Sequence, residues 1–214
     1  METPEGVFAV AGEGYAPQGR ITPTGDLTRL ARAAALCNDA ALVDKGGLWT
    51  VEGDPMEGAL LAFAGKVSPG IAAQRLDVLP FDSRHRFMAV LSEEPLGRVT
   101  HVKGAPERVL GMCSHQLAGD GRAAPIDEVH WQQAIDQQAR AGRRVLALAR
   151  GHVNTATALD SRSGVEGLTL LGLVAIIDPP RQEAIEAVVQ CRAAGIRVKM
   201  ITGDHGVTAS AIAT

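Results

Sequence analysis

Aromatic side chains are scarce, at 3% of 214 residues, and no apolar run is long. The longest, Leu168 to Ile177, is about half of the roughly twenty residues that a membrane-crossing helix needs, so it reads as a buried strand. No charged-then-apolar leader opens the sequence, which argues against secretion. Cys37, Cys113 and Cys191 are odd in number and far apart, which fits neither a disulfide framework nor a metal cluster; they are expected to be reduced thiols in the core. His85, His101, His115 and His205 lack metal-ligand spacing, and no Gly-x-Ser-x-Gly string or adjacent Cys-His pair offers a nucleophile. Basic residues are outnumbered, 21 Lys and Arg against 24 Asp and Glu, for a net charge of -3. A general nucleic-acid surface depends on clustered cations and is therefore excluded, whereas a single nucleotide needs only a few. There is no internal repeat, low-complexity tract or long charge block.

A phosphate-cradling P-loop is also missing. Gly58 to Lys66 imitates one, but six residues rather than four separate its glycines, and Val67 stands where Ser or Thr would meet magnesium.

With 46% hydrophobic residues the chain can bury one full core and part of a second. Val7 to Val10 followed by Gly and Pro punctuation predicts an edge strand and turn. Leu27, Leu30, Ala31 and Ala34 recur at helical spacing, so a helix capped by Asp26 is predicted over about 27–37, ended by Asn38-Asp39. A second helix opens at Gly53-Asp54-Pro55-Met56-Glu57, with Asp54 as N-cap, Pro55 in the first turn and Glu57 placed to reach back as a capping box; Leu60, Leu61 and Ala64 form its buried face. Leu76 to Phe81, Arg86 to Leu91 and Val99 to Lys103 read as an antiparallel meander. A short helix from Ala105-Pro106-Glu107, a loop or hairpin over Cys113 to Pro125, a helix from Asp127 to about Ala141 stopped by Gly142, and a strand at Val145 to Ala149 follow. Then come the strand Leu168 to Ile177, a helix over Gln182 to Ala194 and a strand from Ile196 to Ile201, a strand-helix-strand unit of the kind that builds parallel sheets with ligand sites beyond the strand ends.

Holding a nucleotide without a P-loop takes an aromatic platform, an acceptor for the base and cations for the phosphates. Phe81 closes an apolar strand just before a polar turn, where its ring is either half exposed or an ordinary core side chain; strand context alone favours the core. Lys103 ends a strand beside Gly104, a residue that permits close backbone approach; a strand-end lysine is a phosphate-binding point charge or, more commonly, a solvated one. Arg86 and Arg144, with Arg143 as a substitute, are bidentate phosphate ligands or surface charges, and Met88 at this spacing is more often core filling. Asp178 and Asp204 at strand ends fit magnesium or phosphoryl chemistry, or merely cap helices, with Arg181 solvated.

Four strings decide among these. Phe81-Asp82-Ser83-Arg84, Lys103-Gly104-Ala105-Pro106-Glu107, Asp178-Pro179-Pro180-Arg181 and Thr202-Gly203-Asp204, in this order after Gly14-Tyr15-Ala16-Pro17, resemble the cytoplasmic ATP-binding region of a P-type cation pump, nearest the calcium-pump-like subgroup. The resemblance implies an α+β fold: an antiparallel sheet flanked by helices over 1–177, the nucleotide-binding domain, then over 178–214 a partial α/β haloacid-dehalogenase-like piece of the phosphorylation domain. It implies that Phe81 stacks on adenine, that Lys103 and Gly104 line the adenosine pocket with Met88 nearby, that Glu57 lies near the adenine amino group, and that Arg86 and Arg144 complete the cationic set. Asp178, Thr202, Gly203 and Asp204 would border the transferred phosphate. Met56 stands where the family commonly has Thr. The family's Asp-Lys-Thr-Gly-Thr motif, with the phosphorylated aspartate, and its Gly-Asp-Gly-Asn-Asp-type magnesium motif are not in these residues. The chain is therefore expected to be a piece of a membrane pump, on its cytoplasmic side. It would bind ATP without turnover and work with Mg2+ and with the pump's remaining phosphorylation, actuator and transmembrane domains. A haloacid-dehalogenase-type phosphatase would need a nucleophilic acid pair near its start, which is missing; a regulatory module that binds no nucleotide is the other alternative.

Overall fold

The computed structural model describes residues 1–12, 14–153, 158–160, 164–177 and 182–199. In chain order the elements are β1 (Glu2–Thr3), β2 (Gly6–Val7), β3 (Ala9–Val10), β4 (Ile21–Thr22), α1 (Thr28–Leu36), β5 (Ala41–Asp44), β6 (Trp49–Glu52), α2 (Pro55–Val67), β7 (Gln74–Asp82), β8 (Phe87–Glu94), β9 (Gly97–Gly104), α3 (Pro106–Leu110), β10 (Cys113–Leu117), β11 (Ala123–Pro125), α4 (Glu128–Arg140), β12 (Arg144–His152), β13 (Leu168–Ile176) and α5 (Gln182–Ala193). One large sheet runs β11-β10-β13-β12-β9-β8-β7, with β1 added to β13 and β2 to β1. Its pairs are antiparallel except β10 with β13. The architecture is α+β, and the predicted meander is β7, β8 and β9.

Helices cover both faces of the sheet. Phe87, Ala89, Val102, Ala147 and Ala149 face one way and pack with Val109 of α3 and Trp131 and Ala134 of α4. The alternate residues Met88 and Val90 pack with Cys37, while Leu148, Leu171 and Val174 meet Leu30, Ala34, Leu60 and Phe63 of α1 and α2. A strand enclosed on both sides has no polar face to show, which is why Phe87 to Ser92 is buried at every position and reads as an unbroken run.

Local chemistry sets the ends. Asp54 caps α2 by accepting from the amides of Met56 (2.8 Å) and Glu57 (3.1 Å). Asp127 accepts from His130 N at the start of α4 (3.0 Å) and Gly142, at φ 70, ends it. Asp26, expected as the cap, accepts from the amide of Thr28 (3.0 Å) but lies one residue before the observed N-cap, Leu27. The three cysteines are free; Cys37 is buried and the other two partly so, and burial pushes the Cys37 and Cys113 thiols up to about 12.

Three expectations change. Residues 41–52, unassigned from sequence, form the β5–β6 hairpin around Gly46 and Gly47, both at positive φ. The edge strand expected at 7–10 is split into β2 and β3 by the buried Phe8. The strand at 168–176 does not open a separate parallel unit: it lies inside the large sheet, antiparallel to β12 along its length. The helix after it is present as α5, whereas residues 196–199 form no strand. The rest of that expected strand, together with Asp178, Thr202, Gly203 and Asp204, lies outside the described residues.

Candidate functional site

Register collects the sequence-derived candidates at one end of the sheet. Asp82 pairs with Phe87, Phe87 with Gly104, Met88 with Lys103, and Lys103 and Gly104 in turn with Leu148 and Ala147 of β12, the strand that Arg144 begins. The β7–β8 turn is tied by Asp82: its carbonyl accepts from Arg86 N (2.7 Å), and its carboxylate accepts from Arg84 N (2.7 Å) and the Arg84 guanidinium (2.6 Å). These bonds from Arg84 hold the Asp82 carboxyl well below its ordinary value. Arg86 takes φ 58, a left-handed conformation costing a non-glycine residue about 1–2 kcal/mol. In return its carbonyl accepts from Ala105 N (3.0 Å) and its guanidinium reaches Glu107 (2.7 Å), so the turn is joined to the start of α3.

Phe81 lies just before this turn with 61% of its surface exposed. The core alternative for this residue is thereby overturned. Met88, by contrast, is 1% exposed within the core beside Cys37 and Val90, and its side chain leaves almost no surface for a ligand. Gly104 is required by packing: a Cβ there would stand 2.6 Å from both the Arg86 carbonyl and the Phe87 Cβ. The close approach it permits is to β8.

Lys103 is neither a solvated strand end nor a free phosphate ligand. Its side chain is 8% exposed, and its ammonium is hydrogen-bonded to Glu57 Oε1, itself 16% exposed, at the start of α2. The capping box also fails, because Glu57 Oε2 accepts from Asp39 N (2.9 Å) instead of turning back to its own helix. Arg144 approaches the sulfur of the neighbouring Met56 (3.9 Å). The cluster thus joins the ends of β9 and β12 to the N-terminus of α2.

Sequence reasoning missed the residues holding Glu57. Asn38, 3% exposed, donates Nδ2 to the carbonyls of Glu57 (2.9 Å) and Ala34 (3.1 Å) and accepts from Ala40 N (2.9 Å). Arg75 of β7 donates to Asp39 Oδ1 (2.8 Å), to Leu36 O (3.2 Å) and to Asn38 O. The signal was the Asn38-Asp39 pair itself, whose polar side chains do more than end a helix.

A second polar cluster lies at the far end of the same sheet face, where Glu94 Oε1 meets buried His101 Nε2 (2.8 Å) and Arg32 Nε (3.0 Å). The bond with His101, then that with Arg32, holds the Glu94 carboxyl at about 2 against an ordinary 4.5. The unfolded chain therefore takes up this proton first on acidification, and the stability Glu94 contributes is complete above about pH 4.5 and lost as pH falls towards 2. Denaturant unfolding between pH 6 and 2 should show a shallower acid loss for Glu94→Gln than for the parent; identical slopes would remove Glu94 from the account.

Among the described residues no His, Cys, Asp and Glu group gathers as a metal site, and no helix is long and apolar enough to cross a membrane. Residues 26–183 match the family model described as P-type ATPase, cytoplasmic domain N. The cation-transporting ATPase pma1 of Synechocystis sp. is 42% identical across 96% of this chain and 25% of its own length. The probable cation-transporting ATPase F of Mycobacterium bovis is 39% identical across 99% of this chain and 25% of its own. For the calcium-transporting ATPase of Bacillus subtilis the figures are 35%, 96% and 25%. The chain spans about a quarter of the length of these curated relatives. A family match over most of the chain, on a fold whose meander carries the matching strings, leads to one assignment: the chain belongs to the P-type ATPase cytoplasmic domain N family.

Proposed function

We propose that this chain is the ATP-binding unit of a cation-transporting P-type pump, with the base seated on Phe81 over the Lys103–Glu57 pair. The supporting observation is Phe81 itself: a large aromatic ring left 61% exposed at the end of β7, the same end of the sheet at which Lys103 and Glu57 are paired. An exposed ring gives nothing to the core but offers a stacking surface to a base. Glu57 retains lone pairs for the adenine amino group, and Lys103 supplies donors to the adenosine. Met88 and Gly104 act beneath the site, as its packed floor. Arg86 and Arg144 lie at the surface of the same end, where a triphosphate carrying Mg2+ would extend.

The γ-phosphate then passes to an aspartate outside these 214 residues: a carboxylate oxygen bonds to phosphorus, the bond to the bridging oxygen breaks, and ADP leaves. We place the boundary of the nucleotide-binding unit near residue 177 and assign 178–214, with Asp178, Thr202, Gly203 and Asp204, to the phosphorylation domain. Catalysis of this transfer is largely positioning and charge stabilisation, so the unit's task is to bring ATP to its acceptor. In this reading the chain alone binds ATP but does not hydrolyse it.

Phe81→Ala tests this reading. Removing an exposed ring should leave the unfolding midpoint nearly unchanged, since surface substitutions are usually worth within about 0.5 kcal/mol. It should weaken ATP binding by about 1–3 kcal/mol, the range for one base on one ring. Equal affinities by calorimetry, or no response of the parent chain at millimolar ATP, would instead favour an interaction module that takes no nucleotide.

A further inference from the structure

We propose that Asn38 is a positioning residue of this site, acting through Glu57 rather than on any ligand. The inference rests on the function proposed above. Glu57 sits in the first turn of α2, where its backbone carbonyl and side chain are both held from outside the helix. Asn38 Nδ2 takes the carbonyl (2.9 Å), and the next residue's amide, Asp39 N, takes carboxylate Oε2 (2.9 Å). The remaining oxygen, Oε1, meets the Lys103 ammonium. One corner of the chain therefore fixes both the position and the rotation of the carboxylate that holds Lys103.

The corner is itself over-determined. Asn38 Oδ1 accepts from Ala40 N (2.9 Å), which sets the turn, and Nδ2 also binds Ala34 O (3.1 Å) at the end of α1. Arg75 closes it from the sheet by donating to Leu36 O, Asn38 O and Asp39 Oδ1. Arg75 lies on β7, the strand that carries Phe81 near its other end, so the corner and the ring are referenced to one strand. Such support matters because a site held too loosely loses much of the binding its groups could give. At 3% exposure Asn38 has almost no surface to touch a nucleotide.

The test is a double-mutant cycle on ATP affinity, measured by calorimetry with the 214-residue chain, with thermal unfolding recorded for each variant. Asn38→Ala should weaken ATP binding about tenfold, equivalent to roughly 1.4 kcal/mol. In a Glu57→Gln background the same substitution should change affinity less than twofold, because the group through which it acts is already altered. Asn38→Ser, which keeps one short donor, should recover part of the loss; it carries the cycle if Asn38→Ala does not fold. Losses that simply add in the two backgrounds, or unchanged ATP affinity with reduced thermal stability, would make Asn38 a helix-ending residue only and overturn the proposal. Phe81→Ala is run alongside. If it weakens binding while Asn38→Ala does not, the positioning role fails alone; if neither does, the nucleotide site itself is misplaced.

Discussion

Glu57→Ala should lower the unfolding free energy by about 3–5 kcal/mol, the range for removing one partner of a buried ion pair. Lys103, with 8% of its side chain exposed, would be left with a desolvated charge and no carboxylate beside it. The loss is expected to come from the stranded ammonium rather than from the missing attraction. A double change, Lys103→Met with Glu57→Leu, should therefore recover most of the stability, because two apolar side chains of similar volume avoid the desolvation cost. The Asp39 amide that Glu57 also accepts from belongs to an exposed residue, where water can replace the carboxylate. ATP binding should not recover in the double variant, since neither donor nor acceptor is restored. Denaturant unfolding and ATP titration of the same three proteins separate stability from function; a double variant as unstable as Glu57→Ala would contradict the explanation.

Trp131→Ala should cost a similar 3–5 kcal/mol, as large-to-small changes at buried aromatics do, yet leave ATP affinity of the folded protein unaltered. Trp131 is fully buried, with its indole nitrogen donating to Gln116 Oε1 (2.8 Å). The same oxygen accepts from Asp127 N (2.9 Å), the cap of α4, so removing the ring leaves a cavity and loosens the helix's tie to β10. Its cluster packs on the sheet face opposite to Glu57 and Lys103. The expected contrast is thus between a face that carries stability alone and a face that carries stability and the site together. Weakened ATP binding in the still-folded Trp131→Ala protein would show that the faces are not independent.

The sequence made legible those features whose cause is local or repeated. Asp54-Pro55 states where α2 begins, and three enclosed strands, β8, β12 and β13, declare themselves as apolar runs. Features made by distant partners could not be read. Glu57 sits at a capping-box position, and only the folded chain brings Asp39 and Lys103 close enough to draw its two oxygens elsewhere. Arg86 read as either a phosphate ligand or a surface charge, because Glu107 meets it only after β8 and β9 pair. The β5–β6 hairpin carried a usable signal, two glycines between short apolar runs, while the strand at 168–176 gave no sign that its neighbours would be β12, β10 and β1. Exposure of Phe81 was half visible: the polar turn after it was plain, but the emptiness around the ring depends on β7 being the edge strand.

Backbone nitrogen NMR of the labelled chain during ATP addition tests the central claim most directly. The amides of Phe81, Lys103, Gly104 and Glu57 should shift together and saturate, while those of α4 stay in place. Saturable shifts centred elsewhere, on the far end of the sheet around Glu94 and His101 for instance, would show that the base does not rest on Phe81.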